Sequence, residues 1–220
     1  MISPSRLYDL SIILSFYYAR FDMSGLQSLV IELRHALDHG QFEGANSLLA
    51  KAKINLLQNN ALIPTPSIQP QQFTLAREVL ELGALSSIRQ QDAQSFTRYY
   101  QQLQPFYDSE RFGFEEGKVD VRGSQRSKLT GLYLLLLLSM GNSTGFHTLL
   151  EGLVEEASLK GETVENDSYI KYPVELERNL MEGSYDKVWA ETKSERVPSE
   201  DYGLFSNVRS TCSLLLLFLC

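Results

Sequence analysis

Cysteine is almost missing from this chain: its 220 residues hold two, Cys212 and Cys220, both within the last nine positions. A disulfide framework and a zinc spacing are thereby excluded, and a reducing compartment is the natural setting. Histidine is scarce too, with only His35, His39 and His147. His35 and His39 stand four apart, so one helical face could offer both to a metal. No Glu-x-x-His partner completes the set, and Gly40 ends the segment at once. A protonated histidine at that place is favoured by the helix dipole in any case. There is no G-x-S-x-G elbow and no G-x-x-x-x-G-K-[ST] phosphate loop, and "RFGFEEG" (Arg111 to Gly117) has the glycines without the lysine. The acids Glu155, Glu156, Glu162, Glu165 and Asp167 lack the ligand alternation of an EF-hand and read as a solvated loop. No catalytic residue, cofactor, metal or small-molecule substrate is therefore expected.

Long apolar runs are missing as well. "LYLLLLLSM" (Leu132 to Met140) and "LLLLFLC" (Leu214 to Cys220) both fall far short of the roughly 20 residues that span a bilayer. The first reads as a helix at the centre of a stack, with neighbours on several sides. The second, at 209–220, is an atypical apolar end that has to dock somewhere. "LSIILSFYYA" (Leu10 to Ala19) has no basic flank or small-residue cleavage site and reads as a packed helix. Positive charge is the last shortage: the formal net charge is −7. Between residues 151 and 201 fourteen acids face six bases, a net −8 that leaves the remainder near neutral. Such a surface repels phosphate, so neither a nucleic acid nor a membrane is an expected partner, and the expected location is cytoplasm and nucleus.

What is present is a rhythm. Leu37, Ile88, Leu138 and Leu180 each precede by three residues a stop at Gly40, Gln91, Gly141 or Gly183, and by eight an apolar residue at Ala45, Phe96, Phe146 or Val188. After each stop stands Gln41, Asp92, Asn142 or Ser184, three of which are N-cap types. Glycine at a stop tolerates the left-handed backbone of a helix end. The unit is helix, tight turn, helix, with structural turns at Gly40, Gly141 and Gly183.

Helical periodicity fills the intervals. Leu26, Leu29, Val30, Leu33 and Leu37 share one face, as do Phe42, Ala45, Leu48, Leu49, Ala52 and Leu56. These form N-terminal helical hairpins within 1–62. A Pro-rich connector follows at 63–72, where "IPTPSIQP" breaks helix three times. Leu75, Val79, Leu82 and Leu85 lead into the second turn, and Phe96, Tyr99, Tyr100 and Leu103 leave it. Phe106 to Ser124, with three glycines and no period, reads as a long loop. A third hairpin runs from about Gln125 to Leu159, and a fourth begins near Pro173. Spacings of 42 to 51 residues between equivalent positions mean hairpins that bury their apolar faces only by stacking. The fold class is all-α, a right-handed stack of helical hairpins of the TPR/HEAT-like kind.

"REVLELGALSSIRQQDAQSFTRYYQQLQPFY" (Arg77 to Tyr107), "GLYLLLLLSMGNSTGFHTLLEGL" (Gly131 to Leu153) and "YIKYPVELERNLMEGSYDKVW" (Tyr169 to Trp189) together resemble the small PCI-domain subunits of the proteasome regulatory-particle lid. The resemblance covers 73–208, the PCI-type helical repeats. It implies a non-catalytic scaffold whose partners are the other proteasome lid subunits and whose work supports degradation of ubiquitinated proteins. Sister scaffolds of the signalosome and of translation initiation, and an RNA-binding PCI module of messenger-RNA export, are the alternatives. The family pattern continues after "VPSEDYGLFSNV" into a winged helix, whereas this sequence closes with "RSTCSLLLLFLC". Entry into the lid is therefore expected to rest on side contacts of the hairpins. Candidate partner-binding residues are Tyr169, Lys171, Tyr172, Pro173 and Tyr185, because exposed tyrosines are common interface anchors. Of Tyr99 and Tyr100, adjacent on a helix, one is expected in the core and the other at the surface.

Overall fold

The computed structural model describes residues 25–64, 69–112, 124–159, 161–184, 186–188 and 198–203. Every regular element among them is helical. In chain order these are α1 (residues 25–38), α2 (Phe42–Gln58), α3 (Pro70–Arg89), α4 (Ala93–Phe112), α5 (Arg126–Ser139), α6 (Ser143–Leu159), a 3-10 turn (Val164–Asn166) and α7 (Ser168–Met181). A four-residue helix, Glu200–Gly203, comes last.

All four stops have a left-handed backbone: φ is 68° at Gly40, 67° at Gly141, 68° at Gly183 and 60° at Gln91, which is not a glycine. The same two hydrogen bonds close each of them. Gly40 N–H donates to Leu37 O and Gln41 N–H to Ala36 O. The pairs Gln91 to Ile88 with Asp92 to Ser87, Gly141 to Leu138 with Asn142 to Leu137, and Gly183 to Leu180 with Ser184 to Asn179 repeat the pattern. This is the Schellman motif, which satisfies carbonyls that a helix end otherwise leaves open. Beyond the turn, Asp92 Oδ1 accepts from Ser95 N–H at 3.0 Å and Asn142 Oδ1 from Gly145 N–H at 2.9 Å, each capping a new helix. Gln41 makes no such bond. Ala45, Phe96, Phe146 and Val188, the residues eight places after the anchors, are all buried.

The chain divides into two compact units, and α3 and α4 contribute residues to both. In the first, residues 1–86 with 101–123, the buried set includes Leu33, Leu49, Leu56, Phe73, Leu80 and Phe106. In the second, residues 87–100 with 124–220, α5 packs against α6 and, more extensively, α7. Residues Leu129 to Leu137 of α5 are buried on nearly every side, Tyr133 alone being half-exposed. That is the environment the leucine run anticipates. Tyr133 stacks on Tyr100 with ring centroids 4.0 Å apart and meets Phe96 edge-on at 6.1 Å. Tyr100 is thus the core member of its pair, while Tyr99 is half-buried.

Three expected helix limits are corrected. Pro70 does not break a helix; it opens α3, where its missing N–H is no loss. Pro105 does not end α4, and residues 106–112, expected to be loop, continue the helix. A proline inside a helix costs about 3 kcal/mol, but the turn after it buries Phe106 and Tyr107 at about 1.5–3 kcal/mol each. Phe106 packs on Phe73 with centroids 5.1 Å apart, and the Tyr107 hydroxyl donates to buried Glu81 at 3.1 Å. Residues 113–123 of the expected loop lie outside the described residues. Pro173, finally, does not begin the last helix: α7 starts five residues earlier at Ser168, capped by Asp167 Oδ1 accepting from Tyr169 N–H at 2.9 Å.

Candidate functional site

The first turns of α7 gather most of the tyrosines singled out above. Tyr169 and Tyr172 are half-buried, Lys171 is exposed and Pro173 is buried. Tyr185 and the apolar end at 209–220 lie outside the described residues. Both Tyr169 and Tyr172 pack on Tyr202 of the Glu200–Gly203 helix with centroids 6.0 Å away, the first tilted at 36° and the second nearly perpendicular at 76°. Lys171 is the exposed member of this group, and the two rings keep part of their surface open. Pro173 acts from beneath. It has no N–H for the carbonyl of Tyr169, four residues back, and leaves that oxygen open.

Tyr202 meets the open oxygen. Its hydroxyl lies 3.2 Å from Tyr169 O and 3.1 Å from Lys128 O, and it donates its one hydrogen between them. Gly131 makes the approach possible: a Cβ there would overlap both the Tyr202 hydroxyl and Tyr169 O. Next to Tyr202, buried Asp201 takes two cations, Lys128 Nζ at 2.5 Å and Arg89 Nε at 3.0 Å. Burial alone would raise its pKa, yet the hydrogen bonds from Lys128 and Arg89 outweigh it and hold the carboxyl below its usual range. Burial likewise pushes the Tyr202 phenol far up, with the charge of Asp167 adding to the effect, so it stays a donor at any physiological pH.

A pocket of about 180 Å³ opens between α5, the end of α6 and the start of α7, lined by Leu153, Ala157, Val164 and Ile170 together with Arg126 and Asp167. Arg126 grips Glu156 with both arms, at 2.9 and 2.6 Å. This corrects the reading of the acidic cluster as solvated loop for two of its members: Glu156, on α6, is buried in an ion pair and Asp167 caps α7, whereas Glu155, Glu162 and Glu165 are exposed, the last 3.6 Å from Arg178.

The histidines are engaged locally. The rings of His35 and His39 stack at 4.1 Å, and His39 Nδ1 lies 2.9 Å from His35 O. His147 Nε2 lies 3.4 Å from Glu177. Among the described residues no group of three or more metal-ligating side chains converges, and no helix is long and apolar enough to cross a membrane. Ion pairing, hydrogen bonding and aromatic packing are the chemistry of this region.

Residues 125–205, which run from the N-cap of α5 through the Tyr202 helix, match the model of the CSN8/PSMD8/EIF3K family. The chain is 36% identical over 190 residues to the 26S proteasome regulatory subunit RPN12 of Saccharomyces cerevisiae, across 84% of this chain and 66% of that protein. It is 33% identical over 175 residues to its Schizosaccharomyces pombe counterpart, across 78% and 59%. Against the 26S proteasome non-ATPase regulatory subunit 8 homolog A of Arabidopsis thaliana the identity is 31% over 150 residues, across 67% and 51%. The chain thus spans between about half and two thirds of the length of these relatives.

Proposed function

We propose that this chain, a homologue of the RPN12 and non-ATPase subunit 8 proteins with a match to the CSN8/PSMD8/EIF3K family, is a non-catalytic scaffold subunit of the 26S proteasome regulatory-particle lid. One observation carries the reading: the family match falls on the second unit, where the buried leucine-rich α5 packs against both α6 and α7. A rigid helical array suits holding neighbours at fixed positions, and affinity spread over large packed contacts suits a subunit without a reaction to perform. The other lid subunits are the partners, the cytoplasm and nucleus the location, and degradation of ubiquitinated proteins the process served. Lys171 with the outer faces of Tyr169 and Tyr172 is the place where contact is expected first. The CSN8 and EIF3K components of the family name keep signalosome and translation-initiation scaffolds as the second reading.

Tagged full-length chain, purified from cells and analysed by mass spectrometry, tests this. Recovery of lid subunits in near-stoichiometric amount supports the proposal. Recovery of signalosome or initiation-factor subunits in their place overturns it.

A further inference from the structure

Four residues from three helices converge on two residues near the end of the described chain. Arg89 at the end of α3 and Lys128 in the first turn of α5 bracket the Asp201 carboxylate, while Gly131 and the Tyr169 carbonyl receive the Tyr202 hydroxyl. Asp201 and Tyr202 are 5% and 3% exposed, although the helix that carries them has only four residues. So short a helix has no stability of its own, since nucleation alone is unfavourable. Its order therefore comes from this socket. The apolar cluster of the same unit, built on Leu134, Leu137, Phe146 and Ile170, is complete without either residue.

We propose that Asp201 and Tyr202 form a latch: a plug seated in a socket made by Arg89, Lys128, Gly131 and Tyr169, which fixes the Glu200–Gly203 helix against α5 and α7 and which can be released while α5, α6 and α7 stay folded. The attachment is chemically selective. The carboxylate answers two cations whose own side chains are partly exposed, and the hydroxyl answers the Lys128 carbonyl together with the Tyr169 carbonyl, which Pro173 leaves without its helical donor. An acidic residue followed directly by tyrosine is thus what the socket recognises, and Phe at 202 or Asn at 201 would each remove one half of the recognition with little change in volume. The inference stands apart from the proteasome reading, because it concerns how the chain binds itself.

Hydrogen exchange followed by mass spectrometry on the full chain tests it, with Tyr202→Phe as the mild variant and Asp201→Asn as the stronger one. The expected result is at least tenfold faster exchange of the amides at 201–203 in each variant, with rates in α5 and α6 unchanged. Arg89→Gln removes a socket residue rather than the plug, and should reproduce the effect at the same amides. Unchanged exchange at 201–203 in all three variants overturns the latch. Equal acceleration throughout α5, α6 and α7 overturns it too, because the pair would then be part of the core and not separable from it.

Discussion

Gly131 and the Tyr202 hydroxyl compete for one position: the space where a Cβ would stand on α5 is filled by the phenol oxygen and the Tyr169 carbonyl. The glycine is required by a close approach and not by its backbone angle, as it lies within a helix where alanine has the better propensity. Gly131→Ala is accordingly expected to destabilise by about 1–3 kcal/mol, the usual range for overpacking, against the gain of up to about 1 kcal/mol that the same change brings in an open helix. Thermal unfolding decides the sign. Adding Tyr202→Phe should recover part of the loss, because the oxygen that clashes is gone, and strictly additive effects in the double variant would contradict the shared space.

Asp201 makes stability depend on acid in a definite direction. Its folded pKa lies below the ordinary carboxylate value because Lys128 and Arg89 outweigh the effect of burial. A carboxyl depressed on folding stabilises fully above its unfolded pKa, near 4, and loses that contribution as pH falls through the folded value. Wild type and Asp201→Asn should therefore differ most in melting temperature at neutral pH and converge below about pH 4. A gap that stays constant down to pH 3 would place the effect of the substitution in packing.

In the first unit, Glu81 is buried, accepts from the Tyr107 hydroxyl at 3.1 Å and lies 3.8 Å from Arg77 Nε. Removing the acid leaves a buried guanidinium without this counter-charge, and Glu81→Ala is expected to cost about 3–5 kcal/mol. Tyr107→Phe removes only one neutral donor from a charged acceptor and should cost about 1.5–3 kcal/mol. Chemical denaturation of the two variants gives the order, and a larger loss for Tyr107→Phe would show that the hydroxyl matters more than the charge.

The turn rhythm was legible because it is local. A left-handed residue, a cap and an anchor lie within a few positions of one another, so three glycines and three cap residues suffice to locate four hairpin turns. Even Gln91, with no glycine to mark it, was placed by its column. The helix limits around Pro105 and Pro173 were not legible, because in each case the proline is tolerated by tertiary contacts: Phe106 and Tyr107 in the core for one, the Tyr202 hydroxyl on the open carbonyl for the other. The Asp201 and Tyr202 socket escaped for a related reason. Arg89 and Asp201 are 112 residues apart, and no spacing rule links an isolated glycine in a leucine-rich helix to a tyrosine beyond the last hairpin. Among the tyrosines chosen as interface anchors, Tyr169 and Tyr172 were expected to flank a helix beginning near Pro173; they lie on α7 itself, and nothing in the spacing signalled that both also pack on Tyr202.

The four stops can be used to measure what a left-handed turn costs, since they share one hydrogen-bonding pattern and differ in side chain. A Cβ on Gly141 or Gly183 would meet nothing within 4 Å, so Gly141→Ala and Gly183→Ala change the backbone preference alone. At φ of 67° and 68° each substitution is expected to cost about 1–2 kcal/mol, the usual penalty for a non-glycine residue in this conformation. Gln91 already bears that strain at φ 60°. The reverse change, Gln91→Gly, should therefore stabilise, by somewhat less than the penalty because glycine loses more chain entropy on folding. A gain of about 0.5–1 kcal/mol is the expected outcome, read as a melting temperature raised by roughly 1–4 °C. Loss of stability in Gln91→Gly would mean that the glutamine side chain makes a contact worth more than the strain, and the equivalence of the four turns would then hold for the backbone only.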